Sequence, residues 1–124
     1  MSRLHPAARR ILLGPEDSAA GRILCGKSAI AALALLAISL HVLDLLTGIE
    51  MIQTYGLPTE QNPLARSLFQ LAGPVGLGLA KLGIVGSGVG ALAWLAGRGR
   101  RRLARNALVA VATLGLLGFS SNLV

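Results

Sequence analysis

The sequence predicts an all-α integral membrane protein, a three-helix bundle with a short interfacial helix in its outer loop. The prediction rests on an apolar composition, three long apolar runs and an uneven distribution of basic residues. Of the 124 residues, 53% are hydrophobic and 14% are charged, whereas about a quarter are charged in an ordinary soluble domain. A soluble fold this small would leave long uncharged segments facing water, so we expect lipid to cover them.

Three apolar runs, at residues 28–50, 74–96 and 104–123, predict three membrane spans. Each has the roughly 20 residues that cross a hydrocarbon core of about 30 Å at a helical rise of about 1.5 Å per residue. The spans should be helices, because lipid offers no partner for an open backbone and the alternation of a barrel strand is absent. The first run is too long for a cleaved signal peptide and is not followed by a good cleavage sequence.

Basic residues predict the orientation of these spans. Five precede the first run, five follow the second, and Arg66 alone lies between the first two. The two groups of five are Arg3, Arg9, Arg10, Arg22 and Lys27, and Arg98, Arg100, Arg101, Arg102 and Arg105. Because cytoplasmic segments carry the Lys and Arg excess, we place the tail 1–27 and the loop 97–103 in the cytoplasm. The loop 51–73 and the C-terminus then lie outside, and we expect the membrane to be a bacterial inner membrane.

This arrangement also explains the net charge of +7. Basic residues beside membrane spans bind anionic lipid, so we expect Arg98, Arg100, Arg101 and Arg102 to contact lipid headgroups, and we expect no nucleic-acid partner.

Residues 21–28, Gly-Arg-Ile-Leu-Cys-Gly-Lys-Ser, match the letters of the phosphate-binding P-loop. That loop requires a buried strand before it and a soluble helix after it. Here a polar turn precedes the segment and a membrane span follows it, so we expect no nucleotide binding and no cofactor. A zinc site would need more than His5 and His41, so no metal is expected either.

The outer loop contains a predicted helix at residues 63–72. Asn62 is a favourable N-cap and Pro63 suits the first helical position, while Gly73 and Pro74 end the segment. Nearby Glu60 either reaches Lys81 as a second carboxylate or remains a solvated loop residue, and the sequence leaves both alternatives open.

Polar residues inside the spans are the candidate functional residues, because a charge at membrane depth is costly unless it is paired. His41, Asp44 and Thr47 are spaced three apart and share one face of the first span. Asp44 and Lys81 both lie about 9–10 Å below the outer surface by helical rise. We therefore predict an Asp44 to Lys81 ion pair, closed over by His41 and Thr47, with Asn122 within reach.

These residues also carry a resemblance. Asp44-x-x-Thr47, Glu60-x-Asn62-Pro63, Lys81 and a late asparagine together resemble a family of small bacterial three-helix membrane proteins of unknown function, over about residues 35–123. The sequence departs from the pattern at Gly48, where the family has a second threonine, and at Ser121, where the family has a paired asparagine. The resemblance implies the fold and the polar cluster, and it implies no activity.

The second span contains small residues at helix-packing spacing. Gly83 pairs with Ser87 and Gly86 with Gly90, and such faces let helices approach closely. They serve either packing within the chain or docking of another membrane protein.

Two functions remain open. As an accessory subunit, the protein packs against a larger membrane complex, and its partner is another membrane protein; a partner that is a further copy of the chain itself belongs to the second function. As a minimal oligomeric carrier or proton relay, it uses His41, Asp44, Glu60 and Lys81. We expect no enzyme, because no serine or cysteine stands at hydrogen-bonding spacing from a base.

Overall fold

The computed structural model describes residues 26–123, and all regular structure in that range is helical. Helix α1 spans Lys27–Tyr55, a short 3-10 helix spans Leu57–Thr59, α2 spans Pro63–Gly97 and α3 spans Arg101–Ser121. All three α-helices are long and apolar enough to cross a membrane. Residues 1–25, which make up nearly all of the predicted tail 1–27 and five of the eight residues of the P-loop-like segment 21–28, lie outside the described residues.

The helices extend further than the predicted spans. Helix α1 continues to Tyr55 instead of ending near residue 50, and α3 begins at Arg101 instead of residue 104. The predicted loop 97–103 therefore shortens to residues 98–100. The cause is that polarity marks the edge of the membrane and not the end of a helix: α1 ends at Gly56, whose φ is 92°, and the connection between α2 and α3 turns at Gly99, whose φ is 89°. Glycine adopts these backbone angles without a steric penalty.

Helix α2 is kinked near its start. Gly73 has φ 65° and ψ −167°, which interrupts the helix directly before Pro74. Residues 63–72 are therefore helical up to the kink at Gly73, and a position of this segment along the interface stays a prediction. The Asn62 side chain caps this segment by accepting from the backbone amides of Leu64 and Ala65.

The helices pack unevenly. Helix α1 makes its most extensive contacts with α3, whereas α2 touches each of the other two far less. The core consists of small and branched side chains, among them Ala37, Ala104 and the fully buried Leu108. Gly115 lets α3 approach α1 closely, because a Cβ there would lie 3.0 Å from the Leu40 Cβ. Helix α2 buries only Leu77, Val89 and Ala96, so most of its surface faces away from the chain.

Candidate functional site

An ion pair joins α1 to α2 in the half of the bundle nearer the loop between these two helices. The Lys81 ammonium donates to Asp44 Oδ2 at 2.5 Å, and the two side chains are 28% and 14% exposed, respectively. The sequence predicted the same pair, because Asp44 and Lys81 lie at equal depth on antiparallel helices. Each charge compensates the other in a low-dielectric setting, where either one alone would be costly.

Asn122 connects this pair to α3. Its Nδ2 donates to the Asp44 carbonyl oxygen at 3.0 Å, to Asp44 Oδ1 at 3.0 Å and to Thr47 Oγ1 at 3.1 Å. Thr47 Oγ1 in turn donates to the Leu43 carbonyl oxygen at 2.9 Å. The Asp44 carboxylate therefore receives Lys81 from α2 on one oxygen and Asn122, beside the end of α3, on the other. One residue of α1 holds all three helices together.

Two glycines make room for this arrangement. A Cβ at Gly118 would lie 2.5 Å from Asp44 Oδ2, and one at Gly48 would lie 3.3 Å from Asn122 Nδ2. The role of Gly48 was not predicted from the sequence, in which this glycine is only a departure from a family pattern. The signal available was its position one turn after Asp44, where a close neighbour would favour a residue without a side chain.

His41 does not close over the ion pair, and that prediction was wrong. Its Nε2 lies 3.1 Å from the Val111 carbonyl oxygen of α3. Its Nδ1 is buried and has no hydrogen-bond partner among the described residues. The physical reason is position: His41 lies nearly one turn deeper than Asp44, where the imidazole meets the α3 backbone beside Gly115.

The outer loop folds over the cluster. Glu60 Oε1 accepts from the Asn62 amide at 2.8 Å, so its resolved bond is local and not to Lys81. The Arg66 guanidinium donates to the Glu60 carbonyl oxygen at 2.5 Å and to that of Pro58 at 3.4 Å. In the sequence, Arg66 contributed to the prediction only as the one basic residue between the first two spans. Its reach back across the loop depends on the turn at Gly56 to Thr59, which composition does not reveal.

A cavity of about 340 Å³ lies between the outer halves of the helices and the segment 63–68. One part of its wall is polar and the rest is apolar or small. The polar lining residues are Asp44, Glu60, Asn62, Lys81, Ser121 and Asn122. The others are Leu45, Gly48, Leu64, Ala65, Leu68, Leu77, Ala80, Ile84 and Gly118. The cavity thus gathers nearly all the polar residues that the sequence singled out, with His41 and Thr47 outside its lining.

The small residues of α2 do not pack against the part of the chain that the structure describes. A Cβ at Gly83, Gly86 or Gly90 would meet no atom within 4 Å, and Ser87 is also exposed. At about 100° per residue, this face points away from Lys81 and hence from α1 and α3. Of the two alternatives left open, packing against residues 26–123 is therefore wrong for these four residues.

The inner end of α2 carries a cation over an aromatic ring. The Arg98 guanidinium carbon lies 4.6 Å from the centre of the Trp94 ring. Arg98, Arg100, Arg101 and Arg102 are all exposed. An amphipathic tryptophan beside basic residues is typical of a membrane interface, which agrees with the expected headgroup contacts without testing them.

Comparison with known proteins gives one match. A family model described as a domain of unknown function, DUF5658, matches residues 34–124. No curated protein matches the chain, and no solved structure does. Among the described residues, no group of three His, Cys, Asp or Glu side chains is placed to hold a metal ion.

Proposed function

The chain belongs to the DUF5658 family, whose domain of unknown function covers residues 34–124, and we propose that it is a small accessory membrane protein that packs against a larger membrane complex. The family assigns no activity, so the support for this proposal comes from the geometry. The observation that carries it is the uncovered small-residue face of α2.

That face has the shape of a helix-docking surface. Gly83, Gly86 and Gly90 form its middle, and a Cβ added at any of them would meet no atom within 4 Å among the described residues. Leu79 and Trp94 flank it on the same side and are 71% and 61% exposed. Small residues between larger ones form a shallow groove, and in lipid such a groove gains van der Waals contact when another helix fills it.

The polar cluster has a supporting role in this proposal. By joining α1, α2 and α3 at Asp44, the ion pair and Asn122 fix the angle at which α2 presents its groove. The proposal includes no catalytic step. Two of the described serine hydroxyls, those of Ser67 and Ser121, donate to backbone carbonyls of their own helices.

The proposal includes the orientation. We place the protein in a bacterial inner membrane with its N-terminus in the cytoplasm, residues 63–72 along the outer interface and the arginines after Trp94 at inner headgroups. The charge asymmetry supports this choice. In a Cys25→Ser background, a membrane-impermeant thiol reagent should label Gln61→Cys and spare Gly99→Cys in intact cells. Labelling of Gly99→Cys alone would reverse the topology.

A carrier or proton relay is the second candidate, favoured by the ion pair and the adjoining cavity. The polar groups named for this function do not form a continuous path, because His41 bonds to the Val111 carbonyl and not to Asp44. Oligomerisation would have to supply the remaining path. Proton or solute flux into vesicles that stops in Asp44→Asn and Lys81→Met variants would favour this candidate.

The accessory proposal is tested by native pull-down. The tagged protein is extracted from its own membranes in mild detergent, and the proteins that accompany it at fixed ratio are identified by mass spectrometry. We expect one stoichiometric membrane partner, lost in Gly86→Leu and Gly90→Leu and retained in Gly88→Leu. Gly88 is a matched control because it is exposed and open but lies about 200° around the helix from Gly86. Recovery of the chain alone, or only with copies of itself, would contradict the proposal.

A further inference from the structure

We propose that the cavity beneath residues 63–68 binds a membrane phospholipid whose headgroup carries a primary ammonium, of the phosphatidylethanolamine class, from the outer leaflet. The proposal goes beyond the accessory role, because it concerns a separate surface and a different ligand. It rests on the amphipathic lining, the balance of charge and the direction in which the cavity opens.

The lining matches an amphiphile. Asp44, Glu60 and Asn62 offer oxygen atoms at one part of the wall, while Leu68 and Leu77 offer hydrocarbon at another. The volume of about 340 Å³ lies at the lower end of the roughly 300–1,000 Å³ typical of ligand pockets. It is sufficient for a headgroup and the start of the acyl chains, and the remainder of the lipid would stay in the bilayer.

The charged side chains that line the cavity determine which headgroup fits it. The lining holds two carboxylates, Asp44 and Glu60, and one ammonium, Lys81. Lys81 and Asp44 compensate each other through the ion pair. Glu60 uses one oxygen to accept from the Asn62 amide, and a carboxylate has about four acceptor positions. The side chains that line the cavity thus carry one negative charge in excess, which attracts an ammonium and disfavours an anionic headgroup. The neighbouring cation, Arg66, is outside this lining and donates to the Glu60 and Pro58 carbonyl oxygens and not to a carboxylate.

The cavity opens towards lipid. Leu64 and Ile84 both line it, yet they are 64% and 70% exposed at the protein surface. Ile84 lies within the spanning part of α2, so the surface it shares with the cavity faces hydrocarbon. A lipid can therefore enter sideways with its headgroup near Glu60 and its chains leaving past Ile84.

Lipid retention tests the proposal. The protein is reconstituted in nanodiscs of equal parts phosphatidylethanolamine, phosphatidylcholine and phosphatidylglycerol, and retained lipid is measured by native mass spectrometry after release. We expect one phosphatidylethanolamine per chain, because choline has no N–H donor and glycerol has no cation. Equal retention of the first two lipids, or preference for phosphatidylglycerol, would overturn the proposal.

Three variants locate the retained lipid. Glu60→Gln keeps an acceptor for the Asn62 amide but removes the charge, and should lower retention about tenfold, as loss of a charge-assisted hydrogen bond implies. Leu68→Trp fills the cavity and should also displace the lipid, whereas Glu50→Gln, outside this lining, should retain it. Unchanged retention in Glu60→Gln and Leu68→Trp would overturn the site. Pull-down of a protein partner is unaffected by either outcome, so the two proposals fail independently.

Discussion

Gly118 of α3 lies directly against the carboxylate of Asp44 on α1. A methyl group at that position would lie 2.5 Å from Oδ2, 2.6 Å from Cγ and 2.7 Å from Oδ1. The carboxylate cannot retreat without leaving Lys81 or Asn122, which it contacts at hydrogen-bond distance. The absence of a side chain at residue 118 is therefore a condition for the polar cluster.

Gly118→Ala should destabilise the protein by about 1–3 kcal/mol, the usual cost of overpacking a filled core. The measurement is equilibrium unfolding in mixed detergent micelles, followed by circular dichroism. Gly88→Ala is the matched control, because its new methyl group meets no atom within 4 Å and alanine is the better helix former. Equal stability of the two variants would mean that α3 does not approach Asp44 so closely.

Asp44→Asn and Lys81→Met should together cost less than the sum of the two single changes. Removing one partner of a buried pair costs about 3–5 kcal/mol, and the single changes should fall at or below that range because the Lys81 side chain is 28% exposed. The double variant leaves no unpaired charge, so a coupling of about 0.5–3 kcal/mol is expected in the unfolding free energy.

The control cycle combines Asp44→Asn with Arg98→Gln at the far end of α2, where changes should add. Strictly additive changes in the unfolding free energy in the Asp44 and Lys81 cycle as well would show that the two side chains form no stabilising ion pair.

Asn122→Ala should cost about 1–3 kcal/mol, because it leaves the Asp44 carbonyl and the Thr47 hydroxyl without the donor they share. Ser121→Ala is the comparison, since among the described residues the Ser121 hydroxyl donates to the Gly118 carbonyl one turn earlier. This substitution should change stability by less than about 0.5 kcal/mol. The same micelle unfolding measurement applies. A larger loss in Ser121→Ala than in Asn122→Ala would place the α3 anchor elsewhere.

Arg66→Lys should loosen the outer loop while leaving the helices intact. The guanidinium reaches two carbonyls, of Pro58 and Glu60, and an ammonium lacks the planar fork that does so. We expect faster amide hydrogen exchange in residues 57–62, by about tenfold for the loss of roughly 1.4 kcal/mol. Gln70→Ala, on the same helical segment and exposed, should leave that exchange unchanged. Exchange that stays slow in Arg66→Lys would show that another contact holds the loop.

The sequence predicted best what depends on distance along a helix. Helical rise alone brought Asp44 and Lys81 to the same depth, and N-cap chemistry predicted the helix after Asn62. Rotation about the helix axis was harder, because it depends on which neighbours pack against each face. For that reason His41 was assigned to the ion pair and not to the Val111 carbonyl, and the direction of the Gly83, Gly86 and Gly90 face stayed open.

The contacts that Arg66 makes in the loop between α1 and α2 were not predicted, for a related reason. Arg66 bonds to carbonyls six and eight residues earlier, and those distances follow from the turn geometry around Gly56 and Pro58. Periodicity carries no information about such a turn. The close approach at Gly48 was hidden likewise, because glycine in an apolar span resembles ordinary small-residue packing until its neighbour is known.

Photo-crosslinking from α2 tests whether the small-residue face of α2 contacts another membrane protein. A photoreactive amino acid is introduced at residue 86 or, as the control, at residue 88, and native membranes are irradiated before extraction. We expect one discrete heterologous adduct from residue 86 and none from residue 88. No adduct from residue 86, equal adducts from both positions, or an adduct only with a second copy of the chain would contradict it.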